Sequence, residues 1–206
     1  MLLASVFVPH PPLLLPEVGR GEEALIQPTA AAYRSVMARV AALRPDTIVV
    51  TTPHSVLYQD YFHISPGKQA RGDMASFGAP GVVITAQYDK EYADRLSRTA
   101  QEDNLPAGTL GQRDRALDHG TIIPLYFLNQ AVTGCRIVRV GLSGQSPLAH
   151  YRLGQCIART AEALSRRTVL IASGDLSHKL QETGPYGFAP EGPAFDRQLT
   201  GALAAG

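Results

Sequence analysis

Short apolar runs alternate along this chain with longer segments in which apolar residues recur every three or four positions. The short runs are rich in β-branched residues and predict buried strands, whereas the longer segments predict amphipathic helices. The predicted strands are residues 2–8, 47–52, 58–64, 82–85, 137–140 and 168–173. The predicted helices are residues 29–43, 88–101, 121–130, 147–165 and 195–204, and the predicted loops are residues 65–80 and 102–120.

This alternation of strands and helices predicts an α/β fold with a largely parallel sheet covered by helices. No helix separates residues 58–64 from residues 82–85, so we expect these two strands to pair antiparallel and to make the sheet mixed. The length of 206 residues suits one substantial domain or two small ones. We expect a single domain over residues 1–206.

The composition excludes several broad classes of protein. Hydrophobic residues make up 45% and charged residues 18% of the chain, which is typical of a globular protein and not of a disordered one. The net charge of +1 provides no broad attraction to nucleic acid or to an anionic membrane. No apolar stretch is long enough to cross a bilayer. We therefore expect neither nucleic acid nor a membrane as a partner.

The cysteines and the N-terminal segment indicate a compartment. Cys135 and Cys156 form no Cys-x-x-Cys pair and no disulfide framework, which favours a reducing environment. The N-terminal apolar run has no basic region before it and ends early at Pro9, so it predicts a first strand and not a signal peptide. We expect a cytoplasmic protein in which both thiols are buried and inert.

Four histidines stand where apolar segments meet turn-forming residues. They are His10, His54, His119 and His178. Imidazole is the commonest metal ligand, and it titrates nearest to neutrality of all side chains. In α/β proteins, ligand-binding groups gather at the carboxyl ends of strands. The four histidines therefore predict one site for metal binding and proton transfer.

His10 and His54 are the predicted metal ligands. Each follows a predicted strand and is preceded by a proline, Pro9 or Pro53, which restricts the backbone and the direction of the side chain. The competing interpretation is that each histidine only caps a strand end through hydrogen bonds. Two imidazoles and one carboxylate on one face of an octahedral metal would form a non-heme Fe(II) site.

His119 and His178 are the further candidates for this site. His119 precedes Gly120, which permits a ligand to approach the backbone closely, although a loop histidine that caps the next helix is a competing interpretation. His178 follows a Gly-Asp-Leu-Ser segment whose glycine permits a sharp turn. His63 and His150 lie inside a predicted strand and a predicted helix, and we expect both to be structural.

A metal-free hydrolase is a third interpretation of the last motif. Asp175, Ser177 and His178 lie close together in the sequence, but the chain contains no Gly-x-Ser-x-Gly elbow. It also contains neither a Gly-x-Gly-x-x-Gly motif nor a phosphate-binding Walker loop. Nucleotide binding therefore has no support from motifs.

Taken together, four segments resemble the class III extradiol dioxygenase superfamily, whose type member is the catalytic β subunit of protocatechuate 4,5-dioxygenase. The chain is most similar to the Memo-like branch, whose members occur with, or fused to, an AMMECR-type domain and near radical-SAM proteins. The segments are Phe7-Val8-Pro9-His10-Pro11-Pro12, Pro45-Asp46-Thr47-Ile48-Val49-Val50 running into Pro53-His54, Leu117-Asp118-His119-Gly120 with Pro124-Leu125, and Ala172-Ser173-Gly174-Asp175-Leu176-Ser177-His178.

The resemblance implies a role for each of the four histidines. His10 and His54 correspond to the two histidine ligands of a non-heme Fe(II). His178 corresponds to the acid/base catalyst, and His119 to a second pocket histidine that contacts substrate or oxygen. The implied fold is a three-layer α/β/α sandwich with a mixed, mostly parallel central sheet. Members of the family are commonly multimeric, so a homo-oligomer is expected.

The third metal ligand of the family has no match in this chain. In the family it is a glutamate, or in some Memo-type members a cysteine, well downstream of the Ser-His motif. Glu191 and Asp175 are the nearest acidic candidates, but neither stands in the matching context. We therefore expect a Memo-like domain over residues 1–206 that is truncated at its C-terminus.

Two functions follow from the resemblance. The leading one is an Fe(II)-dependent extradiol-type dioxygenase that cleaves a catecholic ring, with a small aromatic substrate and O2 as partners. The alternative is a Memo-like metal-binding protein with a different redox, modification or binding role, working with AMMECR-type or radical-SAM partners. In either case, we expect substrate selectivity to lie in residues 65–80 and 102–118.

Overall fold

A computed structural model of the chain describes residues 1–113 and 116–205. The chain forms two compact units, Met1–Gly174 and Asp175–Gly206. Residues 114 and 115 of the predicted loop 102–120 lie outside the described residues. The expectation of one domain over residues 1–206 stays a prediction.

The first unit contains the predicted strands and helices in their predicted order, together with elements that the apolar pattern does not predict. Its strands are β1 (Leu2–Val8), β2 (Thr47–Thr52), β3 (Phe62–His63), β4 (Gln69–Met74), β5 (Ala79–Gln87), β6 (Ala107–Gly108), β7 (Arg136–Gly141) and β8 (Thr168–Ser173). Its α-helices are α1 (Pro16–Gly19), α2 (Gln27–Ala42), α3 (Lys90–Glu102), α4 (His119–Ala131) and α5 (Pro147–Ala163), and the second unit contains α6 (Glu191–Ala205). Across the residues that the structure describes, no helix combines the length and the apolar character needed to traverse a membrane.

Strands β1, β8, β2 and β7 form a sheet in that order, and each neighbouring pair is parallel. The register aligns their carboxyl ends, because Val8 pairs with Ser173 and Thr52 pairs with Gly141. The prediction of an α/β fold around a mostly parallel sheet is therefore confirmed. The segments that follow β1, β2 and β8 all leave from the same edge of this sheet.

Helices cover both faces of the sheet. Along β2, Ile48 and Val50 belong to an apolar cluster that includes residues of α2 and α4. Val49 belongs to a second cluster that includes residues of α3 and α5. All three side chains are fully buried, which is typical of a parallel strand enclosed between two helical layers. This is the predicted three-layer arrangement.

The prediction of a loop over residues 65–80 is wrong, because Gln69–Met74 forms β4 and pairs antiparallel with β5. Buried and exposed residues alternate along β4, with Ala70 and Met74 on the buried side. This is the period-two pattern of a strand with one face in the core. The polar and glycine-rich composition of the segment conceals the pattern in the sequence.

The predicted pairing of residues 58–64 with residues 82–85 is also wrong. Strand β3 pairs parallel with β6, and Ile64 forms an antiparallel bridge with Val140 of β7. Strand β5 has β4 as its partner instead. Strand β5 therefore pairs with the strand that directly precedes it in the sequence, which its polar composition concealed.

Candidate metal centre

Three of the predicted histidines converge at the carboxyl edge of the sheet. His10 lies two residues after β1, His54 lies two residues after β2, and His119 is the first residue of α4. Each offers a ring nitrogen, and these nitrogens all lie within 4.8 Å of one another. His10 is buried, His119 is half-buried and His54 is exposed. This histidine group is thus anchored in the core on one side and accessible on the other.

The spacing of the ring nitrogens fits a metal ion. Nε2 of His10 and Nε2 of His54 are 3.0 Å apart. Two imidazole nitrogens that bind one metal at about 2.1 Å, at a right angle to each other, would be about 3.0 Å apart. The ring centroid of His119 lies 4.0 Å from that of His54 and 5.3 Å from that of His10. A set of imidazole donors suits iron, zinc and other transition metals.

Ser173 determines which nitrogen of His10 carries the proton. The Ser173 hydroxyl donates to the carbonyl oxygen of Gly120 at 2.6 Å, which uses its one hydrogen. In the 2.9 Å contact between Ser173 and His10, the Nδ1–H of the histidine must therefore be the donor. A neutral His10 then has a lone pair on Nε2, the atom that faces His54. This is the tautomer that can bind a metal through Nε2.

Pro124 explains why the Gly120 carbonyl is available to Ser173. In a regular helix this oxygen would accept from the N–H of residue 124, but proline has none. Helix α4 begins at His119, earlier than predicted, so Pro124 lies inside the helix and not in its first turn. The free oxygen accepts from Ser173 at the end of β8. The Gly-Pro spacing thus connects α4 to His10.

The Asp118 carboxylate connects the segments that carry the other two histidines. It caps α4 by accepting from the backbone N–H of Thr121 at 3.0 Å. It also accepts from the Thr52 hydroxyl at 2.7 Å, and Nη1 of Arg139 lies 3.4 Å from its second oxygen. The helix cap is therefore Asp118, which excludes the interpretation of His119 as the capping residue.

Gly120 allows this part of the histidine group to be compact. A Cβ at position 120 would lie 2.6 Å from the hydroxyl oxygen of Thr52 and 3.3 Å from Cδ2 of His54. A side chain there would have to displace one of these groups. The sequence analysis expects a ligand to approach the backbone at Gly120. In the structure, Thr52 and His54 occupy that space.

An aromatic side chain that the sequence analysis does not single out borders the histidine group. Phe77 lies in the short turn between β4 and β5, and its ring centroid is 5.0 Å from that of His119. The Phe77 side chain remains partly exposed. Arg20 donates to the carbonyl oxygen of Gly78 at 2.9 Å and holds this turn in place. The turn thus supplies an apolar wall beside the histidines.

The donors that the structure groups at this spacing are all imidazole nitrogens. Within residues 1–113 and 116–174, no carboxylate or thiolate joins His10, His54 and His119 at this spacing. This differs from the two histidines and one carboxylate expected of a non-heme Fe(II) oxygenase site. His119 lies where it could be a third donor, and its predicted catalytic role stays a prediction.

His178 lies in the second unit, with its side chain about half exposed. Its Nε2 is 3.4 Å from Oδ2 of Asp175, and its ring centroid is 4.9 Å from that of Tyr186. The predicted role of His178 as acid/base catalyst stays a prediction. The same holds for Glu191 and Asp175 as candidates for the third ligand.

The other histidines and both cysteines lie outside the histidine group. His63 is fully buried in β3, and the ring of His150 packs edge-on against Phe62. Desolvation raises the pKa of the Cys135 thiol and the pKa of the Cys156 thiol, which favours the unreactive protonated forms. His63 and His150 are in settings that suit the predicted structural roles. Cys156 is buried as predicted, but the prediction of a buried thiol is wrong for Cys135, which is half-buried.

The sequence analysis misses three residues that support the histidines: Ser173, Thr52 and Arg139. Arg139 does leave a signal, because it is a lone charge inside an otherwise apolar strand, where a buried cation needs a partner. Ser173 and Thr52 are ordinary strand-terminal hydroxyl residues. Only their long-range partners distinguish them, and those partners are not visible in the sequence.

Comparison with known proteins gives a match over nearly the whole chain. Residues 4–206 match the family described as the catalytic LigB subunit of aromatic ring-opening dioxygenase. The protein CA_C1420 of Clostridium acetobutylicum is 35% identical over 204 residues, which cover 95% of this chain and 43% of that protein. The chain therefore spans less than half the length of this relative.

Two further relatives are named as dioxygenases. The 3,4-dihydroxyphenylacetate 2,3-dioxygenase of Escherichia coli is 22% identical over 212 residues, covering 97% of this chain and 74% of the enzyme. The 2,3-dihydroxyphenylpropionate/2,3-dihydroxicinnamic acid 1,2-dioxygenase of Rhodococcus jostii is 26% identical over 190 residues, covering 86% of this chain and 57% of the enzyme. The resemblance inferred from the four segments is confirmed: the chain belongs to the family of the catalytic LigB subunit of aromatic ring-opening dioxygenases.

Proposed function

We propose that this chain provides the metal centre of an Fe(II)-dependent extradiol-type dioxygenase, which cleaves a catecholic ring with O2. The observation that carries the proposal is the 3.0 Å separation between Nε2 of His10 and Nε2 of His54, with His119 in the same group. The family membership and the dioxygenase names of two relatives support the same class of reaction.

In this proposal His10 and His54 bind the iron, and His119 faces the same volume. When bound, the iron would supply a Lewis-acidic, redox-active centre at which a catechol and O2 meet. The chain itself prepares this site by holding His10, through Ser173, in the tautomer whose Nε2 lone pair is directed at His54. His10 is then already in the tautomer that metal binding through Nε2 requires.

Proton transfer is proposed for His119 and His178. A catechol loses a hydroxyl proton as it becomes a better metal ligand, and a neutral imidazole can accept that proton. His119 is suited to this step because it is half-buried beside the two proposed ligands. His178 is the proposed acid/base catalyst of later steps, and its Nε2 lies 3.4 Å from Oδ2 of Asp175.

The test of the metal centre is an anaerobic titration of the protein with Fe(II). We expect one Fe(II) per chain, and we expect His54→Ala to reduce the affinity by more than about tenfold, because it removes a ligand directly. His150→Ala, which removes an imidazole outside the histidine group, is the matched control. Absence of Fe(II) binding, or equal affinities for wild type and His54→Ala, would refute the proposal.

Phe77 lies within residues 65–80, where substrate selectivity is predicted. We expect Phe77→Ala to raise the KM for a simple catechol by about threefold to tenfold, because an aromatic pair contributes about 0.5–1.5 kcal/mol beyond its buried area. Phe77→Leu, which keeps an apolar side chain, should have a smaller effect. Steady-state oxygen uptake measures KM, and Fe(II) titration should show unchanged metal affinity. An unchanged KM would remove Phe77 from the substrate site.

A Memo-like metal-binding protein with another redox, modification or binding role is the second candidate function. It is favoured by the Gly174-Asp175-Leu176-Ser177-His178 form of the last motif, which resembles that branch. An AMMECR-type domain or a radical-SAM protein would be its partner. Stoichiometric metal binding without turnover of any catechol in a panel would favour this candidate. A homo-oligomer and a cytoplasmic location stay predictions.

A further inference from the structure

We propose that Asp118 is a positioning residue that fixes the directions of His54 and His119 within the histidine group. Asp118 contacts neither substrate nor metal in this proposal, and it acts through Thr52 and through the first turn of α4. The inference rests on the metal-binding function proposed above. It assigns the rigidity of the site to one buried carboxylate.

Both oxygens of the Asp118 carboxylate are engaged. Oδ1 accepts from the Thr52 hydroxyl at 2.7 Å and from the backbone N–H of Thr121 at 3.0 Å. Oδ2 accepts from the Thr121 hydroxyl at 2.9 Å and lies 3.4 Å from Nη1 of Arg139. The Asp118 side chain is 9% exposed, so water competes little for these contacts. One carboxylate therefore joins α4 to β2 and β7.

Thr52 transmits this constraint to His54. The Thr52 hydroxyl donates to Asp118 and accepts, at 3.2 Å, from the backbone N–H of His54. Because a hydroxyl has one hydrogen, donation to Asp118 leaves its oxygen free to accept, and the two contacts are compatible. Pro53 between them restricts the backbone further. The hydrogen bond between Thr52 and Asp118 thus fixes the turn that orients His54.

His119 follows the capping residue directly, so the first turn of α4 sets the position of its side chain. Arg139 anchors the cap from the sheet. The Arg139 side chain is fully buried, and it donates through Nε to the Ser65 hydroxyl at 2.9 Å and through Nη1 to the Ala116 carbonyl oxygen at 2.6 Å. These contacts fix the position of the guanidinium. The Asp118 carboxylate therefore has a partner at a fixed position.

The opposite end of β2 repeats this arrangement away from the histidines. Asp89 caps α3, accepts from the Thr47 hydroxyl at 2.6 Å and forms an ion pair with Arg166 at 3.2 Å. Thr47 and Thr52 are the first and last residues of β2, and the strand rise separates them by about 16 Å. Asp89 and Thr47 therefore provide controls with the same chemistry and no histidine nearby in the sequence.

The test compares Thr52→Val with Thr47→Val, because each substitution removes a hydroxyl that donates to a capping aspartate. In the metal-free protein, we expect Thr52→Val to shift the imidazole nitrogen resonances of His54 and His119 and Thr47→Val to leave them unchanged. With Co(II) as the probe, Thr52→Val should weaken binding by about tenfold, as does loss of a group that orients metal-binding histidines. Thr52→Ser, which keeps the hydroxyl, should restore both readings.

Asp118→Asn and Asp89→Asn provide a second matched pair. Asn keeps the size of the side chain but loses the charge and one acceptor oxygen. We expect Asp118→Asn to shift the same imidazole resonances and to weaken Co(II) binding, and Asp89→Asn to do neither. Both variants neutralise a helix-capping aspartate that pairs with an arginine, which is fully buried beside Asp118 and 27% exposed beside Asp89. A shift of the imidazole resonances in Asp118→Asn alone therefore reports on the histidines.

The outcomes separate the positioning proposal from the metal-binding proposal. Unchanged imidazole resonances in Thr52→Val would overturn the role of Asp118, and so would wild-type Co(II) affinity in that variant. If the wild-type protein binds no Co(II), the metal-binding proposal fails. The imidazole resonances of the metal-free variants still decide in that case whether Thr52 and Asp118 position the histidines.

Discussion

Replacing Ser173 with alanine is expected to weaken Fe(II) binding by about tenfold to a hundredfold, the range for removing a group that hydrogen-bonds a metal-binding histidine. The Ser173 hydroxyl accepts from Nδ1–H of His10 and donates to the Gly120 carbonyl oxygen. Without it, the proton of a neutral His10 is free to move to Nε2, where it blocks the lone pair that the metal needs. Anaerobic Fe(II) titration measures the loss.

Two substitutions control for the loss of a buried hydroxyl. Ser173→Thr keeps the hydroxyl and should bind Fe(II) more tightly than Ser173→Ala. Thr168→Val removes a hydroxyl from the first residue of the same strand, where it donates to the Arg166 carbonyl oxygen. Loss of such a buried contact costs about 1–3 kcal/mol in stability wherever it occurs. Equal Fe(II) affinities for Ser173→Ala and Thr168→Val would therefore contradict a specific role of Ser173.

The parts of the fold that the sequence predicts are those encoded in local apolar runs. β2 and β8 have the predicted bounds because each is a short β-branched run that is buried on both faces. β4 is missed because half of its residues face outward and are polar or charged, and because glycine lowers its apparent strand character. Strand pairing was predicted from adjacency in the sequence, which failed for residues 58–64.

The histidines of the candidate site could be predicted from the sequence, but the contacts that support them could not. His10 and His54 follow parallel strands, so the topology alone brings them to one edge of the sheet. Ser173, in contrast, reaches His10 across a separation of 163 residues, and Arg139 reaches Asp118 through a buried contact between β7 and the start of α4. Such contacts depend on the packed arrangement of elements. No local periodicity encodes them.

Arg139→Met is expected to lower the free energy of unfolding by about 3–5 kcal/mol, the usual cost of removing one partner of a buried ion pair. The Arg139 side chain is fully buried and that of Asp118 is 9% exposed, so methionine would leave the carboxylate without its guanidinium in a weakly polarisable setting. The substitution also removes the donors to Ser65 and to the Ala116 carbonyl oxygen. Urea-induced unfolding measures the change.

An exposed ion pair and a double variant test the cause of this loss. Lys90→Met breaks a pair whose side chains are 63% and 44% exposed, and it should cost about 0.5 kcal/mol or less. Combining Arg139→Met with Asp118→Asn should cost less than the sum of the two single losses, because a neutral amide no longer needs the cation. Strict additivity would mean that Arg139 stabilises the fold by its packing and its hydrogen bonds to Ser65 and Ala116, and not through Asp118. A cost below that sum would show that the Asp118 carboxylate depends on Arg139. One contact would then stabilise the fold and also hold the carboxylate that is proposed to position His54 and His119.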